Sequence, residues 1–345
     1  FESVALTTQY ILDRARSFYQ SIVGAKPSIK PSLSLIHPIA EQRITIKKDG
    51  RKVNVVDSDN AAFTSSNDSS FEYTFFLVYP TSKENFALTG LNLWEVPFVM
   101  SHEYGHAVFL HYVGAAANAS GVDLTPNFDI DWGGPLGGFS VEDSTQISGS
   151  KFGSNQRSLE YRLTNRTGMA LRGVNELFAD LFGSYVNGSA PNLLKGVDCL
   201  DVSRDLTSEK TIKGQVKQWT TEASKIYAGD GEPISRPDKS FCGEPSFAGE
   251  HDVALMLGFP IGRFLISLFP TSTSEVRASV LLSWADQIKN HVASAGEGVT
   301  VDSLTKLLIQ VSMQRSSLPT SDKSQACSVL RPLISGLPES SAVCI

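Results

Sequence analysis

His102-Glu103-Tyr104-Gly105-His106 is the stretch of the chain best suited to chemistry. Two histidines four apart lie on one face of a helix, so both imidazoles can reach a single ion. Neutral imidazole nitrogen suits zinc, and a catalytic zinc site offers three protein ligands and keeps a position for water. Glu103 sits beside the first histidine, where it can take a proton from that water as general base. The apolar flank of Val96, Phe98, Val99, Met100, Val108 and Phe109 argues for a packed helix rather than a chance pentapeptide on a surface. His102 and His106 are therefore candidate metal ligands, and Glu103 is the candidate catalytic residue.

The third ligand has to come from elsewhere. The position six residues after His106 is Tyr112, and Phe109 stands where a turn glycine would be needed, which excludes one common design. His111 falls about half a helical turn off the ligand face. The better candidate is Glu176, in Gly173-Val174-Asn175-Glu176-Leu177-Phe178-Ala179-Asp180. Glu176 and Asp180 are four apart, so one carboxylate can bind the ion while the other accepts the free N–H of a ligating histidine. That bond would fix the tautomer and make the ligand more basic. Asp129, Asp131 and Glu160 are the fallback ligands if Glu176 is not used.

H-E-x-x-H followed by N-E-x-x-x-D resembles the gluzincin metallopeptidases, most closely the thermolysin family. The resemblance implies a zinc peptidase with His102, His106 and Glu176 as ligands, Glu103 as base and Asp180 orienting His102. Tyr10–Gly24 looks like the helix that opens that family's catalytic domain, and the segments after His251 resemble its helical lobe. The resemblance also implies a histidine donor to the oxyanion, for which His251 is the candidate, with Glu244 or Glu250 to orient it. Arg204 is the matching candidate for a carbonyl-binding arginine and Tyr161 for a tyrosine donor, both as substrate-binding residues. The chain departs from the family in the long stretch, residues 107–175, between its second histidine and the glutamate. That gap is also similar to the Ste24-like metallopeptidases, many of them membrane-embedded. Phe98 stands where the family has an acidic calcium ligand, so the calcium pair is not expected.

These residues need elements to hold them. Residues 5–23 carry apolar positions at helical spacing, ended by Gly24. Short alternating segments follow around Ser34–Ile36, Arg43–Ile46 and Arg51–Val56, with Lys47-Lys48-Asp49-Gly50 reading as a hairpin turn. Phe71–Tyr79, aromatic and β-branched, is the strongest strand, and the expected edge to which an extended peptide adds. Pro97 suits the first turn of the helix that runs to about Val113. Helical patterning resumes at Met169–Val186 and then over Asp252–Leu268, Thr273–Val292, Val301–Gln314 and Ser324–Ser335. Between the ligand helices, Gly114–Thr167 is rich in Gly, Ser, Asn and Asp, and reads as a long insertion poised to act as a lid. The expected fold is α+β and two-lobed, of thermolysin-like form. A mixed α/β lobe (1–113) ends in the H-E-x-x-H helix, the insertion spans 114–167, and a helical lobe (168–345) carries the glutamate. The zinc cleft would lie between the lobes.

Composition narrows the partners. The 345 residues carry a formal charge of −6 and no Lys/Arg cluster, which excludes a strongly basic nucleic-acid binder. No run approaches the ~18 apolar residues of a membrane span. A peptide or protein substrate is the partner the site implies. Four cysteines favour two disulfides, Cys199–Cys242 and Cys327–Cys344, and hence an oxidising, secreted or periplasmic location. The chain begins at Phe1, which fits removal of a signal peptide. The expected function is a zinc-dependent peptidase, more an endopeptidase than an aminopeptidase of the same clan. A zinc-binding scaffold or adhesion module without turnover is the alternative, disfavoured by Glu103, which a purely structural site would not need.

Overall fold

The computed structural model of the chain describes residues 2–25, 29–36, 44–48, 51–55, 60–65, 72–78, 97–122, 124, 166–188, 250–295, 299–330 and 342–344. Helix α1 spans Glu2–Val23. Five short strands follow: β1 (Lys30–Ile36), β2 (Ile44–Lys48), β3 (Arg51–Val55), β4 (Asn60–Ser65) and β5 (Glu72–Val78). The helices that carry the candidate ligands are α2 (Pro97–Ala119) and α3 (Arg166–Val186). After them come α4 (Glu250–Leu268), α5 (Ser274–Ala295), α6 (Val301–Arg315) and α7 (Thr320–Ser328).

The described residues are mostly helical, which corrects the expected α+β fold of two lobes. Helices α2 and α3 pack on each other at the centre. Around them lie α1 and α5, touching both, and α4 and α6, which pack on α3. One continuous apolar cluster runs from Val4 and Leu12 on α1, through Tyr104, Phe109, Phe178 and Phe182, to Phe264, Trp284 and Leu308. A core that joins both ends of the chain in this way does not divide into an N-terminal and a C-terminal lobe. Among the described residues the strands form a three-stranded sheet, ordered β1-β5-β4, and a separate β2–β3 hairpin. The period-2 pattern that suggested a mixed lobe located β1, β2, β3 and β5 but not β4. It carries no information on whether strands build a lobe or a small flank to a helical core.

Strand order brings a second correction. β5 lies between β1, its parallel neighbour, and β4, its antiparallel neighbour. The segment expected as an edge is therefore the central strand. β4 was not anticipated because Asn60-Ala61-Ala62-Phe63-Thr64-Ser65 is dominated by residues poor in strand propensity. Among the described residues β4 is an outer strand, and it packs on α2. The hairpin reading holds, since Lys48 pairs with Arg51 and leaves Asp49-Gly50 between them.

Local signals account for the helix ends. Gly24 adopts φ 66° after α1, a left-handed conformation that glycine takes without strain. Helix α2 runs past the expected Val113 because Gly114 sits inside it, buried, and is followed by the strong helix formers Ala115, Ala116 and Ala117. It ends at Gly121 (φ 76°), where the Gly121 N–H donates to Asn118 O and the Val122 N–H to Ala117 O. Thr300 and Ser303 cap α6 reciprocally, with both backbone-to-hydroxyl bonds at 3.0 Å. Cys327 and Cys344 form a disulfide, as the sequence led us to expect, with Cα atoms 5.4 Å apart. Cys199, Cys242 and most of the insertion (123 and 125–165) lie outside the described residues. Among the described residues, no helix is long and apolar enough to cross a membrane.

Candidate metal centre

Helix α2 is buried on almost every side, from Phe98 through Ala117. Such a helix needs strong anchoring, and Tyr104, in the middle of the motif, supplies it. Its hydroxyl donates to Ile29 O at 3.0 Å, and its ring stacks between Phe75 (centroids 5.9 Å apart) and Phe182 (6.2 Å). Tyr104 thus ties α2 to the sheet and to α3. Further along, Phe109 meets Phe178 at 5.4 Å. Gly183 faces Phe98 and His102, while Gly105 faces Ala179. Ascending α2 therefore corresponds to descending α3, so the two helices run antiparallel.

That register brings the expected ligands together. His102, His106 and Glu176 are all buried, and each presents one donor atom to a common point. His102 Nε2 and His106 Nε2 are 2.9 Å apart. Glu176 Oε2 lies 3.6 Å from His102 Nε2, and Oε1 lies 3.5 Å from His106 Nε2. Ligand atoms at tetrahedral zinc, with bonds of about 2.0–2.1 Å, stand about 3.3 Å from one another. The 2.9 Å between the imidazole nitrogens falls below that value, and the closest approach of each to a different Glu176 oxygen falls just above it. The donor set thus fits a divalent ion, and a buried group of two imidazoles and one carboxylate could hold one.

The surroundings prepare the ligands. Asp180, fully buried on α3, places Oδ1 2.8 Å from His102 Nδ1. A carboxylate this close to Nδ1 is placed to accept its N–H, which would leave the Nε2 lone pair for an ion. Burial lowers the His106 pKa to about 4, against the opposing pull of the Glu176 carboxylate. The imidazole is consequently neutral at pH 7, the form that ligates. Asn175, also buried, interacts with His106 and, like Glu176 and Asp180, pulls its pKa back upward. Sequence reasoning gave Asn175 no role. Its signal was its place directly before Glu176, where a helix turns the next side chain toward the neighbouring ligand.

Glu103 is only partly buried, unlike the ligands on either side of it. His111 does not join the cluster; it is half-buried beside Tyr112, its pKa lowered by burial and by Lys289. His291 is likewise separate, with Nε2 3.3 Å from Ser303 Oγ. His251 is the second residue of α4, whose backbone packs on α3, but its side chain lies outside what the structure describes. Arg204, Tyr161 and the fallback ligands Asp129, Asp131 and Glu160 also lie outside the described residues.

The chain matches no protein-family model, and neither a curated protein nor a solved structure is similar enough to count as a match.

Proposed function

We propose that this protein is a zinc-dependent hydrolase of the gluzincin type, acting on peptide bonds. The observation that carries this reading is the convergence of His102, His106 and Glu176 with Glu103 on the same helix. A site kept only to bind metal has no use for that glutamate. Zinc is the ion favoured by two imidazoles and one carboxylate, three ligands that leave a position open.

A zinc ion held by His102, His106 and Glu176 would supply Lewis-acid polarisation and acidify water toward neutral pH. The chain does the rest. His102 and His106 present their Nε2 atoms to the same point, and burial keeps the His106 imidazole neutral against the opposing pull of Glu176. Glu103 accepts a proton as the water oxygen attacks the carbonyl carbon. It returns that proton to the amine nitrogen as the C–N bond breaks. His251, in the first turn of a helix packed on α3, is the candidate donor to the oxyanion. An extended substrate would add its backbone to β4 rather than to the central β5. The Cys327–Cys344 disulfide supports an oxidising, extracytoplasmic location for this chemistry.

Incubation with an unstructured protein such as casein tests the reading. We expect cleavage that a chelator abolishes and added zinc restores. No cleavage by zinc-loaded protein, or cleavage indifferent to the chelator, would refute it.

A further inference from the structure

We propose that Gly105 and Gly183 are positioning residues of the metal site, paired notches that set the separation of the two ligand helices. The inference rests on the metal-site reading above. Glycine inside a helix is unfavourable relative to alanine, so its use at a buried position needs a compensating gain. At Gly105 the gain is closeness. A Cβ added there would sit 2.8 Å from Ala179 Cα and 3.2 Å from Ala179 O, which are backbone atoms of α3 that cannot swing aside. At Gly183, on the opposite helix, a Cβ would meet the Phe98 ring at 2.8 Å and the His102 backbone nitrogen at 3.1 Å.

Both notches lie within one turn of the ligands. Gly105 precedes His106, Ala179 precedes Asp180, and Gly183 faces the backbone of His102 itself. Relieving the Gly105 contact to an ordinary 3.4 Å would move the helices apart by about 0.6 Å. A metal site tolerates only about 0.2 Å in its bond lengths. The helices would stay packed, but Glu176 would no longer stand 3.5–3.6 Å from both Nε2 atoms. Other helical glycines differ in kind. Gly114 would meet only the tip of Leu110, and Gly262 only Leu181 Cδ2 at 3.8 Å.

The test is titration of the full-length chain with Zn2+ against a competing chelator, and with Co2+ followed by its visible absorption. Gly105→Ala and Gly183→Ala are compared with the wild type and with the controls Gly114→Ala and Gly262→Ala. We expect Gly105→Ala to weaken zinc affinity by at least about tenfold, the scale of losing an outer contact to a ligand. Gly183→Ala should follow in the same direction, less strongly, because the Phe98 ring can shift. The Co2+ spectrum of both loaded variants should change, which a loss of fold stability alone would not cause. The controls should bind as the wild type does. Wild-type binding with unchanged affinity and spectrum in both variants would overturn the glycine assignment and leave the metal site standing. Variants that lose their helical circular dichroism without metal would also overturn it, making the glycines core residues. A wild type that takes up neither ion would overturn the metal site and this inference with it.

Discussion

Asp180→Asn separates the tuning of the metal ligand from the stability of the core. The carboxylate is fully buried, and its Oδ1 lies 2.8 Å from His102 Nδ1. Asparagine has nearly the same shape and keeps an oxygen that can accept from that nitrogen, so packing is retained. What is lost is the charge. A hydrogen bond to a charged group contributes about 1.5–3 kcal/mol, whereas a neutral one contributes about 0.5–1.5 kcal/mol. The difference, about 1–1.5 kcal/mol, corresponds to roughly a tenfold loss in zinc affinity. That is the lower end of the range for altering the partner of a ligating histidine.

The fold should respond differently. In the metal-free chain the substitution replaces a buried carboxylate with a neutral amide of the same shape. Desolvating a charge is costly, so the variant should be no less stable than its parent in the presence of a chelator. Zinc affinity by chelator competition and thermal unfolding in excess chelator read the two effects separately. Unchanged affinity would refute the role given to Asp180. A fall in metal-free stability as large as the fall in affinity would assign the residue to packing instead.

Other perturbations probe the remaining parts. Glu103→Gln should retain zinc stoichiometry and lose about 100-fold or more in kcat, the usual scale for removing a general base; elemental analysis beside a peptide-cleavage assay checks this. Glu176→Ala should instead weaken zinc binding itself, read by the same competition titration. Because burial holds His106 near pKa 4 rather than 6.5, the metal-free folded chain binds fewer protons than the unfolded chain between those values. Its stability should be full above pH 6.5 and fall by roughly 3 kcal/mol as pH drops to 4. Denaturant titrations across that range should find the slope reduced in His106→Gln. Opening the Cys327–Cys344 bridge, which joins residues 17 apart, should cost about 3 kcal/mol, seen as a lower unfolding midpoint for Cys327→Ala with Cys344→Ala.

The ligands were legible because their geometry is local. Helical periodicity alone puts His102 with His106 on one face, and Glu176 with Asp180 on another. Joining the two faces required that the helices touch, and the apolar residues around Glu176 carried that signal. Phe178 and Phe182 do pack on α2, through Phe109 and Tyr104. The sheet was less legible because strand order is a long-range property. Nothing in Asn60–Ser65 marks it as the neighbour that turns β5 into a central strand. The role of Tyr104 was hidden for a similar reason, since its partner Ile29 lies 75 residues away.

The same contrast explains why the motif supports a site more firmly than it supports an architecture. Two helices that meet antiparallel, each carrying a pair of side chains four apart, are sufficient to assemble His102, His106, Glu176 and Asp180. Nothing in that requirement specifies two lobes, a large sheet or the length of chain between the helices. In this protein α2 and α3 meet inside a helical core shared with α1 and α5, and the sheet is confined to a flank. Function lives in sites that different folds can carry. The meeting of His102, His106 and Glu176 is therefore the part of the expectation that the structure retains, and the two-lobed scaffold expected with it does not transfer to this chain.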